Sequence, residues 1–219
     1  MDWLILQLAD SAFPTGGFAH SGGLEAAWQS GEVSGGEGLQ NFVSEIIWQT
    51  DYGSLPLVNA AHDQPERLAE FDGLCDAFLS NHVANRASRI QGRAFISTCE
   101  RCFPLPDVVA LRERVKVEKM NLHFAPLFGA AMRALSVNKE RAQELCLFLA
   151  MRGVISAAVR LNIIGPHQGQ QIEFSSFARI NEVLARCGNL GADDLAQTAP
   201  LPDLFQSTHD RLYSRLFQS

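Results

Sequence analysis

The chain has 219 residues, of which 47% are hydrophobic, and its 18 basic and 24 acidic side chains give a formal net charge of −6. This composition can bury a core of ordinary size. The acidic balance argues against nucleic acid and against an anionic membrane surface as partners, because both need clustered positive charge.

Helical periodicity runs through nearly the whole chain, and no segment shows the alternation that predicts a half-buried strand. Glycine or proline bounds several of the apolar stretches, as expected at helix ends. The helix predicted over 139–163 is apolar on nearly all sides from Leu145 onward, so we expect it to be central and buried. The predicted helices cover 2–9, 21–29, 37–51, a segment after Pro56, 65–79, 86–101, 107–118, 124–135, 139–163, 170–186 and 204–217.

These elements predict a single compact all-α domain over residues 1–219, with about ten helices. Residues 1–30 form its N-terminal segment with a glycine-rich loop, and residues 188–219 form a C-terminal docking tail. Five cysteines in apolar surroundings favour reduced thiols over a disulfide framework. The N-terminus lacks the basic region of a signal peptide, and Arg152 and Arg160 interrupt the most apolar stretch. We therefore expect a soluble, cytoplasmic protein.

Both ends of the chain carry features that suggest docking. The loop over 13–25 combines paired glycines with Phe18 and His20, and paired glycines allow close approach by another chain. The alternative is an ordinary loop followed by a helix that Ser21 caps. The tail has an aromatic and leucine-rich composition almost to its last residue, although chain ends usually fray. That composition predicts docking against the body or into a groove on another protein.

Arginines mark two further surfaces. Arg86, Arg89 and Arg93 are spaced i, i+3, i+7 and share one helix face, which suits a partner that carries carboxylates or phosphates. A solvated face paired with internal acids is the alternative. Arg152 and Arg160 lie on an otherwise apolar helix, where we expect them to be paired for structural reasons.

Motifs for catalysis and for cofactor or metal binding are missing. The gap between Gly17 and Gly22 matches a phosphate-binding loop, but the lysine and hydroxyl residue that should follow are absent. The histidines are scattered, and Cys99 and Cys102 form a lone C-x-x-C without a second half. We expect no enzymatic activity, no cofactor and no stable metal site.

In combination, several segments resemble the urease accessory protein F family (UreF), and the resemblance covers essentially the whole chain. Each segment alone is a weak signal, but their joint occurrence in this order is specific. The segments are Leu6 to Asp10, Phe13 to Glu25, Arg86 to Arg93, His123 to Gly129, Ala157 to Leu161, Gly169 with Gln170, and His209 to Ser219.

The resemblance implies an all-α homodimer in the cytoplasm that binds the accessory protein UreD (UreH in some bacteria) and recruits the GTPase UreG. The assembly delivers nickel to apo-urease. In the family the tail and the glycine-rich loop become ordered when UreD binds. Carried to matching positions, Arg215 would pair with the loop, where Phe18 replaces a frequent tyrosine. The hydrogen bond to a tyrosine hydroxyl is therefore not implied, and stacking of the guanidinium on the Phe18 ring stays open.

The residues expected to contact partners belong to the loop, the basic helix face and the tail. They are Phe18, His20, Arg86, Arg89, Arg93, His209, Tyr213, Arg215 and Phe217. Two other functions stay open at this point. One is a nickel-binding metallochaperone in its own right, and the other is an all-α enzyme whose pocket uses His20, Glu25, Arg89 and His123.

Overall fold

The computed structural model describes residues 3–219, so Asp2, where the first predicted helix begins, lies outside the described residues. Across residues 3–219 the backbone forms α-helices, short 3-10 turns and loops and contains no β-strand, which confirms the all-α expectation. The helices are α1 (Trp3–Ala9), α2 (Leu24–Gln29), α3 (Gly35–Gly53), α4 (Leu55–Asp63), α5 (Leu68–Phe78), α6 (His82–Cys102), α7 (Pro106–Val117), α8 (Phe124–Ala134), α9 (Lys139–Arg160), α10 (Pro166–Cys187) and α11 (Pro200–Thr208).

Helix α9 serves both halves of the interior. Its N-terminal part, with Leu145 and Cys146, packs into an apolar cluster formed with α1 and α4 to α8. Its C-terminal part, with Met151 and Val154, packs into a second cluster formed with α2, α3 and α10. The expectation of a central buried helix is therefore confirmed. Within residues 3–219, α9 alone is long and apolar enough to cross a membrane, and 56% of its most apolar window is buried in the domain.

The first cluster depends on close helix approach. Helix α8 runs against α4, and a Cβ atom added at Gly129 would overlap the backbone carbonyl of Val58. The loop that precedes α8 crosses α6 at Gly92, where an added Cβ would overlap the carbonyl of Leu122. Glycine is needed at both positions because backbone, rather than a flexible side chain, occupies the space.

Three predicted helix starts need correction. Helices α6 and α10 begin at His82 and Pro166, each four residues before the predicted start. The Asn81 side-chain oxygen caps α6 by accepting hydrogen bonds from the backbone N–H groups of Val83 at 3.0 Å and Ala84 at 3.3 Å. Helix α2 begins at Leu24 instead of Ser21, because the preceding Gly23 has a left-handed backbone with φ +90° that a helix cannot include.

The prediction of a final helix over 204–217 is wrong. Helix α11 begins at Pro200, four residues before the predicted start, and proline suits a first helical position. It ends at Thr208 and is followed by one 3-10 turn over 209–211, after which residues 212–219 are not helical. Their apolar side chains do not form one helix face, because the backbone N–H groups of Leu216, Phe217 and Gln218 bond to Glu25 and Ala19 in the N-terminal part of the chain.

We expect Gly129→Ala to lower the free energy of unfolding by about 1–3 kcal/mol, since the methyl group must push α8 away from α4. The matched control is Gly73→Ala in α5, where an added Cβ meets nothing within 4 Å. That change is expected to be neutral or to stabilise by up to about 1 kcal/mol. Urea unfolding of both variants measures the difference, and equal stabilities would contradict the close approach.

Candidate functional site

The tail returns to the glycine-rich loop at the other end of the chain. The backbone N–H of Ser21 donates to the carbonyl of Ser219 at 2.6 Å, and the N–H of Gln218 donates to the carbonyl of Ala19 at 2.8 Å. The Ser21 hydroxyl adds a bond to the same Ser219 carbonyl at 3.1 Å. The two segments predicted to dock are therefore joined to each other. We call this arrangement the loop–tail site.

Two glycines let the loop lie close to its neighbours. Gly16 has φ +79°, and a Cβ there would lie 3.1 Å from the Cβ of Ala94 in α6. Gly23 has φ +90°, and a Cβ there would lie 2.6 Å from the carbonyl oxygen of Pro202 in α11. Side chains at these positions would combine backbone strain with overlap, so the loop can pack between α6 and α11 only with glycine.

The buried carboxylate of Glu25 holds the tail. Glu25 is 2% exposed, and it accepts the backbone N–H groups of Leu216 at 2.6 Å and Phe217 at 3.1 Å. Its second oxygen also receives a bond from Nε2 of His209, which is fully buried, at 3.1 Å. A buried charge is costly unless it is bonded. The tail supplies all three of these donors, so ordering the tail satisfies Glu25.

His20 lies beside this carboxylate cluster and is 7% exposed. Its Nδ1 shares a hydrogen bond with the hydroxyl of Ser219, and its buried Nε2 has no hydrogen-bond partner among residues 3–219. Burial is the main reason that the pKa of His20 falls from 6.5 to about 4, and the nearby charges of Arg86 and His209 lower it further. His20 is therefore neutral at neutral pH.

Arg160 of α9, rather than Arg215, stacks on the loop. Its guanidinium carbon lies 3.6 Å from the ring centre of Phe18 and 4.3 Å from that of Phe217, and it donates to the Phe18 carbonyl. Arg215 instead pairs with Asp210 at 3.3 Å. Arg160 thus makes the stacking contact with Phe18 that the sequence left open for Arg215. Arg160 is closer because Phe217 is buried against α9 and brings the aromatic ring of the tail onto that helix.

Asp210 connects the tail to α6. Arg86 binds its carboxylate through both terminal nitrogens, at 2.8 and 3.0 Å. Nε2 of His82 lies 3.3 Å from the same carboxylate, and Arg215 bonds to it from within the tail. The hydrogen bond from Arg86, followed by the charges of Arg86 and His82, lowers the pKa of Asp210 to about 2. This exposed network fixes where the tail leaves α11.

The predicted partner-contact residues do not all lie at one place. Phe18, His20, His209 and Phe217 belong to the loop–tail site, and Arg86 and Arg215 meet it through Asp210. Arg89 and Arg93 lie further along the same face of α6, where they line a groove with Arg86. Tyr213 projects fully into solvent from the tail.

The structure does not gather the four groups considered for an enzyme pocket. A cavity of about 390 Å³ lies between the glycine-rich loop and α9, and of the four only His20 lines it. His123 belongs to a separate buried network with Ser88 at 3.1 Å and Asp76 at 3.0 Å. Across residues 3–219, no three His, Cys, Asp or Glu side chains are placed to hold a metal ion.

Three residues of this site are absent from the expected contact set: Glu25, Arg160 and Asp210. Glu25 lies in the first turn of α2, where a carboxylate often interacts only with the helix dipole. Arg160 was expected to be paired, and an arginine on an apolar helix is a usable signal for a buried contact. Asp210 gives no local signal, since its partner Arg86 is distant in sequence.

Comparison with known proteins finds sequence similarity along the whole chain. A sequence model of the UreF family matches residues 33–176. Urease accessory protein F of Arabidopsis thaliana is 39% identical over 224 residues, which cover 100% of this chain and 93% of that protein. The protein of the same name from Oryza sativa subsp. indica is 36% identical, covering 98% and 84%. Urease accessory protein UreF of Bacillus sp. (strain TB-90) is 28% identical, covering 98% and 97%.

We expect Glu25→Gln to loosen the tail. Glutamine offers one acceptor oxygen where the carboxylate offers two, and it places an NH₂ group against the donors of the tail. Loss of these charge-assisted bonds is expected to cost about 1–3 kcal/mol of local stability. Hydrogen exchange of the Leu216 and Phe217 amides should then be faster by roughly 10- to 100-fold. The control is Glu32→Gln, an exposed position nearby, and equal exchange in both variants would contradict the role of Glu25.

Acid should destabilise the loop–tail site through His20. The folded pKa of about 4 lies below the ordinary value of 6.5, so the unfolded chain takes up this proton first as the pH falls. The contribution of His20 is thus full above about pH 6.5 and is lost between about pH 6.5 and pH 4, by roughly 1–3 kcal/mol. His20→Asn removes this component of the pH dependence of unfolding, whereas His167→Asn, at an exposed position, retains it. Parallel pH curves for His20→Asn and the unaltered chain would rule the component out.

Proposed function

Because the chain belongs to the UreF family of urease accessory proteins, we propose that it is a non-enzymatic scaffold that binds UreD (UreH) and recruits the GTPase UreG. In this role it assists the delivery of nickel to apo-urease in the cytoplasm, and the nickel ion is cargo. The observation that carries the proposal is the loop–tail site, in which two docking segments form one ordered surface.

The surface of the loop–tail site combines exposed apolar groups with buried ionic anchors. Phe18 is 68% exposed and Leu216 is 54% exposed, although both adjoin the bonds that fix the tail. Tyr213 adds a fully exposed aromatic ring. Aromatic and aliphatic side chains on a held backbone suit a protein interface, since little conformational freedom is lost on binding. The partner residues of the proposal are therefore those of the loop and the tail, joined by the basic face of α6.

The anchors also suggest how the two partners are coupled. The tail is held by Glu25 within the N-terminal part of the chain and by Asp210 against α6. A partner that binds preferentially to the docked tail shifts the protein toward that state. A second partner that binds the same surface then binds more tightly. The size of this coupling is limited by the difference in affinity for the two states. In the proposal UreD stabilises the docked tail, and UreG binds to the surface that the docked tail forms.

A homodimer completes the proposal. Two exposed apolar pairs are available outside the loop–tail site, namely Leu201 with Leu204 on α11 and Phe174 with Phe177 on α10. The rings of the phenylalanine pair lie 6.0 Å apart, edge to face. Light scattering of the purified chain tests the homodimer. A single monomeric species at micromolar concentration would contradict it.

The main test is co-purification of the chain with UreD and UreG from the same organism, followed by size-exclusion chromatography with light scattering. We expect a stable ternary complex that is lost when residues 208–219 are removed. A chain that binds neither protein would overturn the proposed function.

Arg215→Ala gives a sharper test of the tail. Arg215 makes one bond to Asp210 at 3.3 Å, and a guanidinium with its five N–H donors can bind a partner as well. We expect this variant to keep its fold and UreD binding but to retain less than about a tenth of the UreG, as the loss of a charged hydrogen bond implies. The matched control is Arg211→Ala, an exposed arginine in the same tail. Full UreG recruitment and urease activation by Arg215→Ala would contradict its role.

A further inference from the structure

We propose that the groove along α6 binds an extended acidic segment of a partner protein, through Arg89 and Arg93. The groove has a volume of about 520 Å³, and the α6 face that carries His82, Arg86, Arg89 and Arg93 lines it. The residues between α5 and α6 form its other wall. This inference extends the proposed function. It rests on that function only for the identity of the protein that supplies the acidic segment.

The groove carries positive charge that the chain itself does not neutralise. Within residues 3–219, no carboxylate lies within ion-pair distance of Arg89 or Arg93. Arg89 makes one weak bond, at 3.4 Å, to the carbonyl of Asn121. Asp76 is near enough to feel the charge of Arg89, but its carboxylate is already bonded to Asn85 and His123. In a protein of net charge −6, two adjacent unpaired arginines on a concave surface indicate a site for an external anion.

The chain already shows which anion this face holds. Asp210 lies at the N-terminal end of the groove, where Arg86 binds its carboxylate with two nitrogens, at 2.8 and 3.0 Å. Arg89 and Arg93 continue the same stripe of α6 toward its C-terminus. A carboxylate held by Arg86 thus indicates that further carboxylates fit the guanidinium groups of Arg89 and Arg93, which form no ion pair within residues 3–219.

The shape of the groove favours a peptide over a phosphate group. From His82 to Arg93 the helix rises about 16 Å, which is longer than a single phosphate can use. Ile90 is 39% exposed between the arginines and offers an apolar contact. Arg89 and Arg93 lie about 6 Å apart along the helix axis. Two residues of an extended chain cover about the same distance, so acidic residues at i and i+2 can reach both arginines.

The test uses the full chain and a synthetic probe. The probe is an N-acetylated octapeptide of alternating glutamate and alanine, and the matching octapeptide of glutamine and alanine is its control. Binding is measured by titration calorimetry at about 50 mM and about 300 mM NaCl, because screening weakens exposed ion pairs. The protein variants are Arg89→Gln/Arg93→Gln and the charge-matched Arg101→Gln/Arg133→Gln, which alters exposed arginines outside the groove. Unfolding midpoints check that both variants fold.

We expect the glutamate peptide to bind, the groove variant to weaken binding by about tenfold or more, and the charge-matched variant to change it by less than about twofold. Higher salt should weaken binding to the unaltered chain. Absence of binding, equal loss in both variants, or equal binding of the glutamine peptide would overturn the proposal. Inorganic phosphate that binds in the groove when the peptide does not would also overturn it, in favour of a phosphate-bearing ligand.

These results are separable from the scaffold function. If the peptide fails to bind but the ternary complex with UreD and UreG forms, the acidic-segment proposal is wrong and the scaffold stands. If the peptide binds in the groove but no complex forms, the scaffold function is wrong and the groove takes its acidic segment from another protein.

Discussion

The loop–tail site depends on one constraint, the need of the buried Glu25 carboxylate for hydrogen-bond donors. Burial removes this carboxylate from water, so its charge is tolerable only when donors surround it. The donors come from Leu216, Phe217 and His209, all in the last part of the chain. Tail docking and the satisfaction of Glu25 are therefore one event, and release of the tail exposes an acid that water must solvate instead.

Helix α9 gives this event a fixed position. Its C-terminal part lies in the second apolar cluster together with Phe217, and its Arg160 stacks on both Phe18 and Phe217. Two aromatic rings from opposite ends of the chain thus meet on one guanidinium. Helix α6 supplies the second attachment, since Arg86 binds Asp210. A partner that contacts the loop–tail site therefore acts on the packing of α9 and on the basic face of α6 together.

The helical fold follows closely from local chemistry. Apolar spacing predicted most of the helices, and errors at their starts came from caps such as Asn81 and from left-handed glycines such as Gly23. Helix α9 carries apolar residues on nearly all sides, which predicted its burial, because a helix without a polar face must be covered. The glycine-rich loop, the unusual tail and the arginine stripe of α6 were also evident in the sequence, since each breaks the expected composition of its region.

Local sequence patterns are therefore sufficient to specify the all-α fold, the buried central helix and the unusual composition of the loop, the tail and the α6 face. How these segments meet follows from packing between distant parts of the chain. Residues 212–219 were predicted to continue a helix, yet Glu25 accepts the backbone N–H groups of Leu216 and Phe217, and the segment is non-helical. In the same way, Arg160 stacks on Phe18 while Arg215 pairs with Asp210. Periodicity reports only local conformational preference. These contacts join residues that are far apart in the chain, and packing decides which of several arginines meets a given ring or carboxylate.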